Sequence, residues 1–224
     1  SSSDSTNHSI DLGAGDDYYY TASGAQSLAV SKLDGGAGID KLYFDGTNTV
    51  ALTLTTGNAI NFENITGGGG DDNISGDNNA NVLEGKNGTD NISGYGGNDI
   101  LGGHDSSVSS ESGNDLLYGG AGNDILYGTA GENKLDGGTG QDNMTGGNGA
   151  DTFIIRSGDG GSALTDADII MDYQDGTDVI GLDGGLSFDD LTIAQGSGSN
   201  SSHTTIRYTS SGEYLSILQN VLAS

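Results

Sequence analysis

The sequence predicts an all-β protein, a solenoid wound from short strands and tight turns. Three observations lead to this prediction: a nine-residue repeat along the middle of the chain, 42 glycines with no proline, and a hydrophobic fraction of only 32% among 224 residues. So few apolar residues cannot easily build a conventional close-packed core. Repeats that each pack only against their neighbours need far less apolar surface, and a fixed repeat period is typical of such solenoids.

The repeat begins at a glycine every nine residues, first over 67–102 and again over 119–154. Its copies read GGGGDDNIS, GDNNANVLE, GKNGTDNIS and GYGGNDILG from Gly67, then GGAGNDILY, GTAGENKLD, GGTGQDNMT and GGNGADTFI from Gly119. Between these runs, a further copy ends in Ser112–Tyr118 and is interrupted by the insertion GHDSSVSSE. An isolated copy, GGAGIDKLY, starts at Gly35, and a weaker one, LGAGDDYYY, starts at Leu12.

Two columns of the repeat are nearly invariant along the chain. The sixth position holds an acid or its amide: Asp72, Asn81, Asp90, Asp99, Asp115, Asp124, Asn133, Asp142 and Asp151. The eighth position is apolar: Ile74, Leu83, Ile92, Leu101, Leu117, Leu126, Leu135, Met144 and Phe153. Glycines permit a turn with positive φ, and the last three residues alternate polar, apolar and polar, which is typical of a short half-buried strand.

Stacked repeats bring the sixth-position carboxylates together, in a chain with 32 acidic and 6 basic residues and a formal net charge of −26. One buried apolar side chain per nine residues contributes much less free energy than ordering those residues costs. A hard divalent cation would remove the repulsion and bind the turn carbonyls, and such oxygen ligands suit Ca²⁺ better than the smaller Mg²⁺. The same acidity argues against nucleic acid as a partner, because a phosphate backbone requires basic residues.

Several other signals are absent from the sequence. The sequence contains no stretch of about 18 apolar residues, so it predicts no membrane span. No signal peptide is visible. The chain has no cysteine and therefore no disulfide framework. There is no HExxH or GxSxG motif and no cysteine nucleophile, so we do not expect an enzyme. The chain opens with Ser1 and lacks an initiator Met, so we expect a fragment of a longer protein.

The repeats resemble the RTX nonapeptide GGxGxDxUx, in which U is apolar. Five copies match at both leading glycines, the fourth glycine, Asp and U, namely those that start at Gly35, Gly67, Gly119, Gly137 and Gly146. The resemblance implies a parallel β-roll, a calcium-stapled right-handed solenoid in which repeats n and n+2 stack. It also implies several bound Ca²⁺ ions, roughly one per stacked pair of repeats, held by sixth-position Asp side chains and turn carbonyls.

Carried onto this chain, the resemblance implies two ladders of ligands. The first ladder is Asp72, Asp90, Asp115, Asn133 and Asp151, and the second ladder is Asn81, Asp99, Asp124 and Asp142. Asn81 and Asn133 lack the negative charge, and the insertion near His104–Glu111 is expected to distort the turn before Asp115. Beside the ladders, the candidate metal ligands include Asp40, Asp168 and Asp175 and the turn glycines Gly67, Gly69, Gly85, Gly94, Gly96, Gly119, Gly120, Gly122, Gly137, Gly138, Gly140, Gly146, Gly147 and Gly149.

The flanks also resemble this family. Asp168–Leu182 looks like the segment that caps β-rolls in type I-secreted proteins, and the tail GEYLSILQNVLAS looks like the C-terminal region of large bacterial RTX exoproteins and adhesins. We therefore expect an N-terminal β cap with degenerate repeats over 1–66, the roll over 67–154, and a C-terminal β cap adjoining the secretion signal over 155–224.

The resemblance implies a calcium-binding domain that passes unfolded through a type I secretion system and folds outside the cell or at the bacterial surface. Three contexts stay open: a large adhesin, the C-terminal module of a secreted hydrolase such as a protease or lipase, and a glycan- or surface-binding module as in alginate epimerases. The implied partners are calcium ions, the secretion machinery, and a cell-surface glycan or the rest of an adhesin. Tyr43, Tyr118 and Tyr127 occupy ninth positions, where we favour exposed strand residues over sugar-stacking ones.

Overall fold

The computed structural model describes residues 9–20, 32–44, 51–53, 59–102 and 113–222. Regular structure in these ranges consists almost entirely of strands, and the helices among them are short 3₁₀ turns. No helix in these ranges is long and apolar enough to cross a membrane. The predicted all-β class is confirmed.

The strands are short, mostly of three residues, as the repeat predicts. They are β1 (Ser9–Asp11), β2 (Tyr18–Tyr20), β3 (Lys32–Asp34), β4 (Lys41–Tyr43), β5 (Ala51–Thr53), β6 (Ala59–Ile60), β7 (Asn64–Thr66), β8 (Asn73–Ser75), β9 (Val82–Glu84), β10 (Asn91–Gly96), β11 (Ile100–Gly102), β12 (Leu116–Ala121), β13 (Ile125–Tyr127), β14 (Lys134–Thr139), β15 (Asn143–Thr145), β16 (Thr152–Ile155), β17 (Asp168–Ile170), β18 (Val179–Leu182), β19 (Leu191–Gln195), β20 (Thr204–Tyr208) and β21 (Tyr214–Leu218). The 3₁₀ turns are η1 (Leu164–Asp166), η2 (Phe188–Asp190) and η3 (Gly198–Asn200).

Successive repeats contribute their strands alternately to two parallel sheets. One sheet has seven strands in the order β18-β16-β14-β12-β10-β8-β5, and the other has eleven in the order β19-β20-β21-β17-β15-β13-β11-β9-β7-β4-β2. Each repeat therefore pairs with the repeat two positions away, as expected for a parallel roll. A separate three-stranded sheet, in the order β1-β3-β6, lies near the N-terminus.

The apolar eighth positions form the core of the roll in two columns, one from each sheet. In the seven-stranded sheet Ile92 pairs with Ile74 on one side and Leu117 on the other. Every eighth-position side chain from Ile74 to Phe153 is at most 1% exposed, and all belong to one hydrophobic cluster. Because parallel neighbours are in register, each apolar side chain packs above its counterpart two repeats earlier.

The turns stack so closely that several of their positions leave no room for a Cβ. Gly140 has φ of +132°, and a Cβ added there would lie 1.8 Å from the carbonyl oxygen of Gly122 in the stacked turn. Left-handed backbone persists at three positions where the second glycine of the repeat is replaced: φ is 77° at Lys86, 74° at Tyr95 and 71° at Thr129. At these three positions the stacked turns dictate the backbone conformation although the residue is not glycine.

Both sheets extend beyond the repeats. Leu42 of β4 pairs with Ile65 of β7, which pairs with Leu83 of β9. At the other end β17 continues the roll, and β21, β20 and β19 close it, the last two pairings being antiparallel. The division at residues 66 and 154 stays a prediction, and the eleven-stranded sheet crosses both positions without a break.

The cluster of three tyrosines forms β2, at the edge of the eleven-stranded sheet. Tyr19 points inward and packs partly against the core, whereas Tyr18 and Tyr20 are exposed. The Tyr20 ring stacks on Tyr43 of the neighbouring strand, with 4.8 Å between centroids and planes 9° apart. The stacked rings therefore help to hold strand β2 against strand β4 at this edge of the sheet.

Candidate metal centre

In the first ladder, each sixth-position side chain after Asp72 accepts a hydrogen bond from the backbone of the ladder residue before it. We call each sixth-position residue of a ladder a rung. The backbone N–H of Asp72 donates to Oδ1 of Asp90 over 2.8 Å, and the N–H of Asp90 donates to Oδ1 of Asp115 over 2.9 Å. The same bond runs from Asp115 to Asn133 and from Asn133 to Asp151, at 3.0 and 2.8 Å. One side-chain oxygen per rung is therefore used to align the stack.

The second ladder repeats this geometry in the other sheet. The N–H groups of Asn81, Asp99 and Asp124 donate to Oδ1 of the next rung over 2.8, 2.8 and 2.7 Å. Asp142 extends it by donating to Oδ1 of Asp168 over 3.0 Å. All these side chains are buried, so that two rows of acids run through the interior of an already acidic protein.

The other oxygen of several of these carboxylates has no hydrogen-bond partner among the described residues. Six of these oxygens are buried and receive no hydrogen bond from the described residues, namely Oδ2 of Asp40, Asp99, Asp124, Asp142, Asp151 and Asp168. A buried carboxylate oxygen without a donor is costly. Such an oxygen recurs at every aspartate of the second ladder, which indicates that a cation belongs beside it.

Turn carbonyls complete an oxygen-rich cradle next to these atoms. A Cβ added at Gly119 would lie 2.4 Å from Oδ2 of Asp124 and 2.4 Å from the carbonyl oxygen of Gly137. At Gly94 the corresponding distances are 2.2 Å to Oδ2 of Asp99 and 2.6 Å to the carbonyl oxygen of Gly119. The first glycines of these two repeats thus leave a space bordered by a carboxylate and a carbonyl, the donor types that Ca²⁺ prefers.

Burial perturbs the acidity of the ladder carboxyls. Desolvation raises the pKa of Asp90 and of Asp99 to about 7, although backbone hydrogen bonds oppose the shift. It raises the pKa of Asp115 to about 6 and, joined by repulsion from Asp142, moves the pKa of Asp168 far above its usual range. These directions show that the folded ladders, without a cation, disfavour their own ionised form.

The donors are spread along the roll and do not form clusters. In the described ranges no three His, Cys, Asp or Glu side chains form a group that could hold a metal. Each rung offers one carboxylate or amide, so a cation there would depend on carbonyls and on the adjacent rung. This differs from compact metal sites built from side chains alone.

Most of the predicted ligands lie at the turn and ladder positions that the repeat gives them, but Asp175 and Gly96 do not. Asp175 is exposed, and the rung after Asp151 is instead Asp178, whose Oδ1 accepts from the Asp151 N–H over 3.0 Å. Asp178 stands two residues before the apolar Ile180, the spacing of the repeats themselves, so this signal was present in the sequence. Gly96 belongs to strand β10 and, like Gly69, has no positive φ among the described residues.

Sequence reasoning also missed acids that precede and follow the repeats. The N–H of Asp17 donates to Oδ1 of Asp40, and the N–H of Asp40 donates to Oε2 of Glu63, each over 2.8 Å. Asp172 accepts from the N–H groups of Gly146 and Gly147 over 2.9 and 2.8 Å. Asp17 is the sixth position of the weaker copy that starts at Leu12, so the repeat marks it, whereas Glu63 and Asp172 lie outside the nonapeptides and the period alone does not single them out.

The predicted distortion at the insertion cannot be located, because His104–Glu111 lie outside the described residues. Asp115 itself is in register, with Leu116 paired to Asn91 in β10 and to Lys134 in β14.

Comparison with known proteins identifies the repeats. The family model of the RTX calcium-binding nonapeptide repeat (4 copies) matches residues 64–83, 75–107, 102–135, 118–153 and 127–161. No curated protein sequence matches the chain. Among solved structures, the AlgE6R3 subunit from the Azotobacter vinelandii mannuronan C5-epimerase is 26% identical, over 67% of this chain and 71% of that chain, with a TM-score of 0.28. That TM-score is too low to indicate a shared fold.

With the strand alternation and the two acidic ladders described above, the family match shows that residues 64–161 belong to the RTX calcium-binding nonapeptide repeat family.

Proposed function

We propose that this chain is a module whose folding depends on Ca²⁺ bound along the two ladders. The observation that carries the proposal is the row of buried Oδ2 atoms that accept no hydrogen bond from the described residues, with a turn carbonyl beside those of Asp99 and Asp124. Ca²⁺ would neutralise these carboxylates and supply the missing electrostatic partner. Asp99, Asp124 and Asp142 are the residues best placed to hold it, because they are consecutive rungs of one ladder and Oδ2 of each accepts no hydrogen bond from the described residues.

Coupling of folding to binding follows from the same feature. Without a cation, burial of the ladders places acids in a dry interior at a free-energy cost that the thin apolar core does not offset. With Ca²⁺ above its dissociation constant, folding becomes favourable. Extracellular calcium modules bind with dissociation constants of about 10⁻⁴–10⁻³ M. A chain of this kind stays unfolded at low calcium and folds at high calcium.

This switch suits a protein that is exported unfolded. We infer that the module supports passage through a type I secretion system and folds outside the cell or at the bacterial surface, as part of a large adhesin. Its contribution there is structural, and we assign it no catalytic residue. The alternative of a secreted hydrolase differs in parts of the protein beyond this sequence.

Circular dichroism tests the proposal on the whole chain. We expect a spectrum without β-structure in EGTA and a β-sheet spectrum in about 5–10 mM CaCl₂, a range set by extracellular calcium modules. MgCl₂ at the same concentration should induce less folding, because Mg²⁺ requires a smaller octahedral site. Equal β-structure in EGTA and in CaCl₂ would refute the coupling.

A matched pair of variants ties the switch to the ladders. Asp124→Asn removes one buried ladder charge, and Asp189→Asn removes one exposed charge in η2. The first should raise the calcium concentration at half folding, and the second should leave it close to the wild-type value. Equal shifts would mean that overall charge governs folding, and not the ladder sites.

A further inference from the structure

Both the oxygen and the nitrogen of the Asn133 side-chain amide form hydrogen bonds. Its Oδ1 accepts from the N–H of Asp115 over 3.0 Å. Its Nδ2 donates to Oδ1 of Asp151 over 3.0 Å and to the carbonyl oxygen of Gly146 over 3.4 Å. The side chain is 2% exposed. Asn133 therefore bridges three consecutive rungs of the first ladder through hydrogen bonds.

These neighbours dictate which way the amide points. If the group were turned over, its NH₂ would face the Asp115 N–H, a donor against a donor, and its oxygen would face the carboxylate of Asp151 and the carbonyl of Gly146. Only the observed orientation satisfies all of these contacts. The assignment of nitrogen and oxygen thus follows from the hydrogen-bond network.

The amide nitrogen occupies the position that a carboxylate oxygen takes at the aspartate rungs. A Cβ added at Gly128 would lie 2.7 Å from Nδ2 of Asn133 and 2.6 Å from the carbonyl oxygen of Gly146. A Cβ added at Gly119 would lie 2.4 Å from Oδ2 of Asp124. The aspartate thus directs an oxygen toward the space beside the first glycine, whereas Asn133 directs its NH₂ group there.

Asn81, the other amide in the ladders, points the opposite way. Its Oδ1 accepts from the N–H of Asp77 over 2.9 Å. A Cβ added at Gly76 would lie 2.3 Å from this Oδ1 and 2.8 Å from the carbonyl oxygen of Gly94. Asn81 therefore presents an oxygen to its cradle, as an aspartate does.

We propose that the rung at Asn133 takes no Ca²⁺, because its amide stands in for the ion, whereas the rung at Asn81 keeps an oxygen ligand for one. This inference rests on the proposed calcium function of the ladders. A cation is repelled by the positive end of an N–H dipole, and the oxygens it would bind already accept from Nδ2. In the first ladder, the contact between Asn133 and Asp151 therefore forms without Ca²⁺ and is held by the amide. We call this contact the calcium-independent joint.

Calcium stoichiometry tests the inference. At saturating CaCl₂, equilibrium dialysis should show that Asn133→Asp binds one more Ca²⁺ per chain than wild type, because Oδ2 replaces the blocking amide. Asn81→Asp should bind the same number as wild type, with a lower calcium midpoint from the added charge. Asn133→Ala should gain no ion and should need more calcium to fold. Equal stoichiometry in Asn133→Asp and wild type overturns the inference.

The wild-type chain provides a second readout that needs no variant to fold. In calcium-saturated protein labelled with ¹⁵N at asparagine, the NH₂ protons of Asn133 should be protected from solvent exchange. Rapid exchange of these protons would contradict the bridging role. If wild type bound no calcium at all, the proposed function would fail and the inference with it, a result distinct from unchanged stoichiometry in Asn133→Asp.

Discussion

The backbone N–H of Asp99 donates to Oδ1 of Asp124 over 2.8 Å, while Oδ2 of Asp124 is buried and receives no hydrogen bond from the described residues. One carboxylate thus has two roles. One oxygen fixes the distance between rungs, and the other is free to bind a cation. Because Asp124 in turn donates to Asp142, it links two successive steps of the second ladder.

Loss of Asp124 should therefore damage folding more than loss of its counterparts in the first ladder. Asp124→Ala removes a ligand from two adjacent steps, and we expect the calcium midpoint to rise by about tenfold, equivalent to about 1.4 kcal/mol. Asp115→Ala and Asn133→Ala should have smaller effects, because Asn133 contributes a hydrogen-bonding amide in place of a calcium ligand and Asp115 is the rung next to it. Calcium titrations followed by circular dichroism rank the three. A larger effect of either first-ladder variant would show that the ladder assignment is wrong.

Acidification should favour the calcium-free folded state. The pKa of Asp90 and of Asp99 is about 7 in the folded chain, against an ordinary value of 3.8. Between these values the folded state holds more protons than the unfolded state, so stability is greatest below about pH 4 and is lost as the pH rises through about 7. In calcium-stripped buffer, β-structure should thus increase from about pH 8 to about pH 5. A constant spectrum over that range would contradict the desolvated ladders.

The stacked turns predict a large difference between two alanine substitutions with similar backbone strain. Both Gly140 and Gly158 have positive φ, but a Cβ at Gly140 meets the Gly122 carbonyl at 1.8 Å, whereas nothing lies within 4 Å of one at Gly158. Gly158→Ala should cost only the strain of a left-handed residue, about 1–2 kcal/mol. Gly140→Ala should prevent calcium-induced folding or raise its midpoint much further. Similar midpoints in the two variants would mean that the turns do not stack as described.

Relief of strain at Thr129 should stabilise the roll. This β-branched residue has φ of 71° at a position that other repeats fill with glycine. Left-handed backbone costs a non-glycine residue about 1–3 kcal/mol, more than the roughly 0.5–1 kcal/mol of extra chain entropy that glycine loses. Thr129→Gly should lower the calcium midpoint, and Thr145→Gly, in strand β15, should raise it. A higher midpoint in Thr129→Gly would show that the strain is compensated locally.

The regular part of the molecule was predictable from the sequence because each repeat meets the same neighbours. One acid and one apolar residue at fixed spacing are enough to place Asp124 in an acidic column and Leu126 in the core. The pairing of repeats two positions apart follows once the strands alternate between sheets. Nearest-neighbour stacking makes the pattern local, and local patterns are visible in a sequence.

The remaining features are not given by the repeat pattern. Asn81 and Asn133 occupy the same repeat position but point in opposite directions, because Asn81 accepts from Asp77 of its own turn and Asn133 accepts from Asp115 of the stacked repeat. Asp178, by contrast, has the two-residue spacing to an apolar residue and could have been predicted in place of Asp175. Acids outside that spacing, such as Asp172, are placed by tertiary packing.

Anomalous scattering from calcium tests the central claim most directly. In crystals of the chain grown in about 5–10 mM CaCl₂, we predict anomalous peaks beside Oδ2 of Asp99, Asp124 and Asp142. No peak should lie at Nδ2 of Asn133. Ladders without anomalous peaks in a folded, calcium-grown crystal would contradict the account.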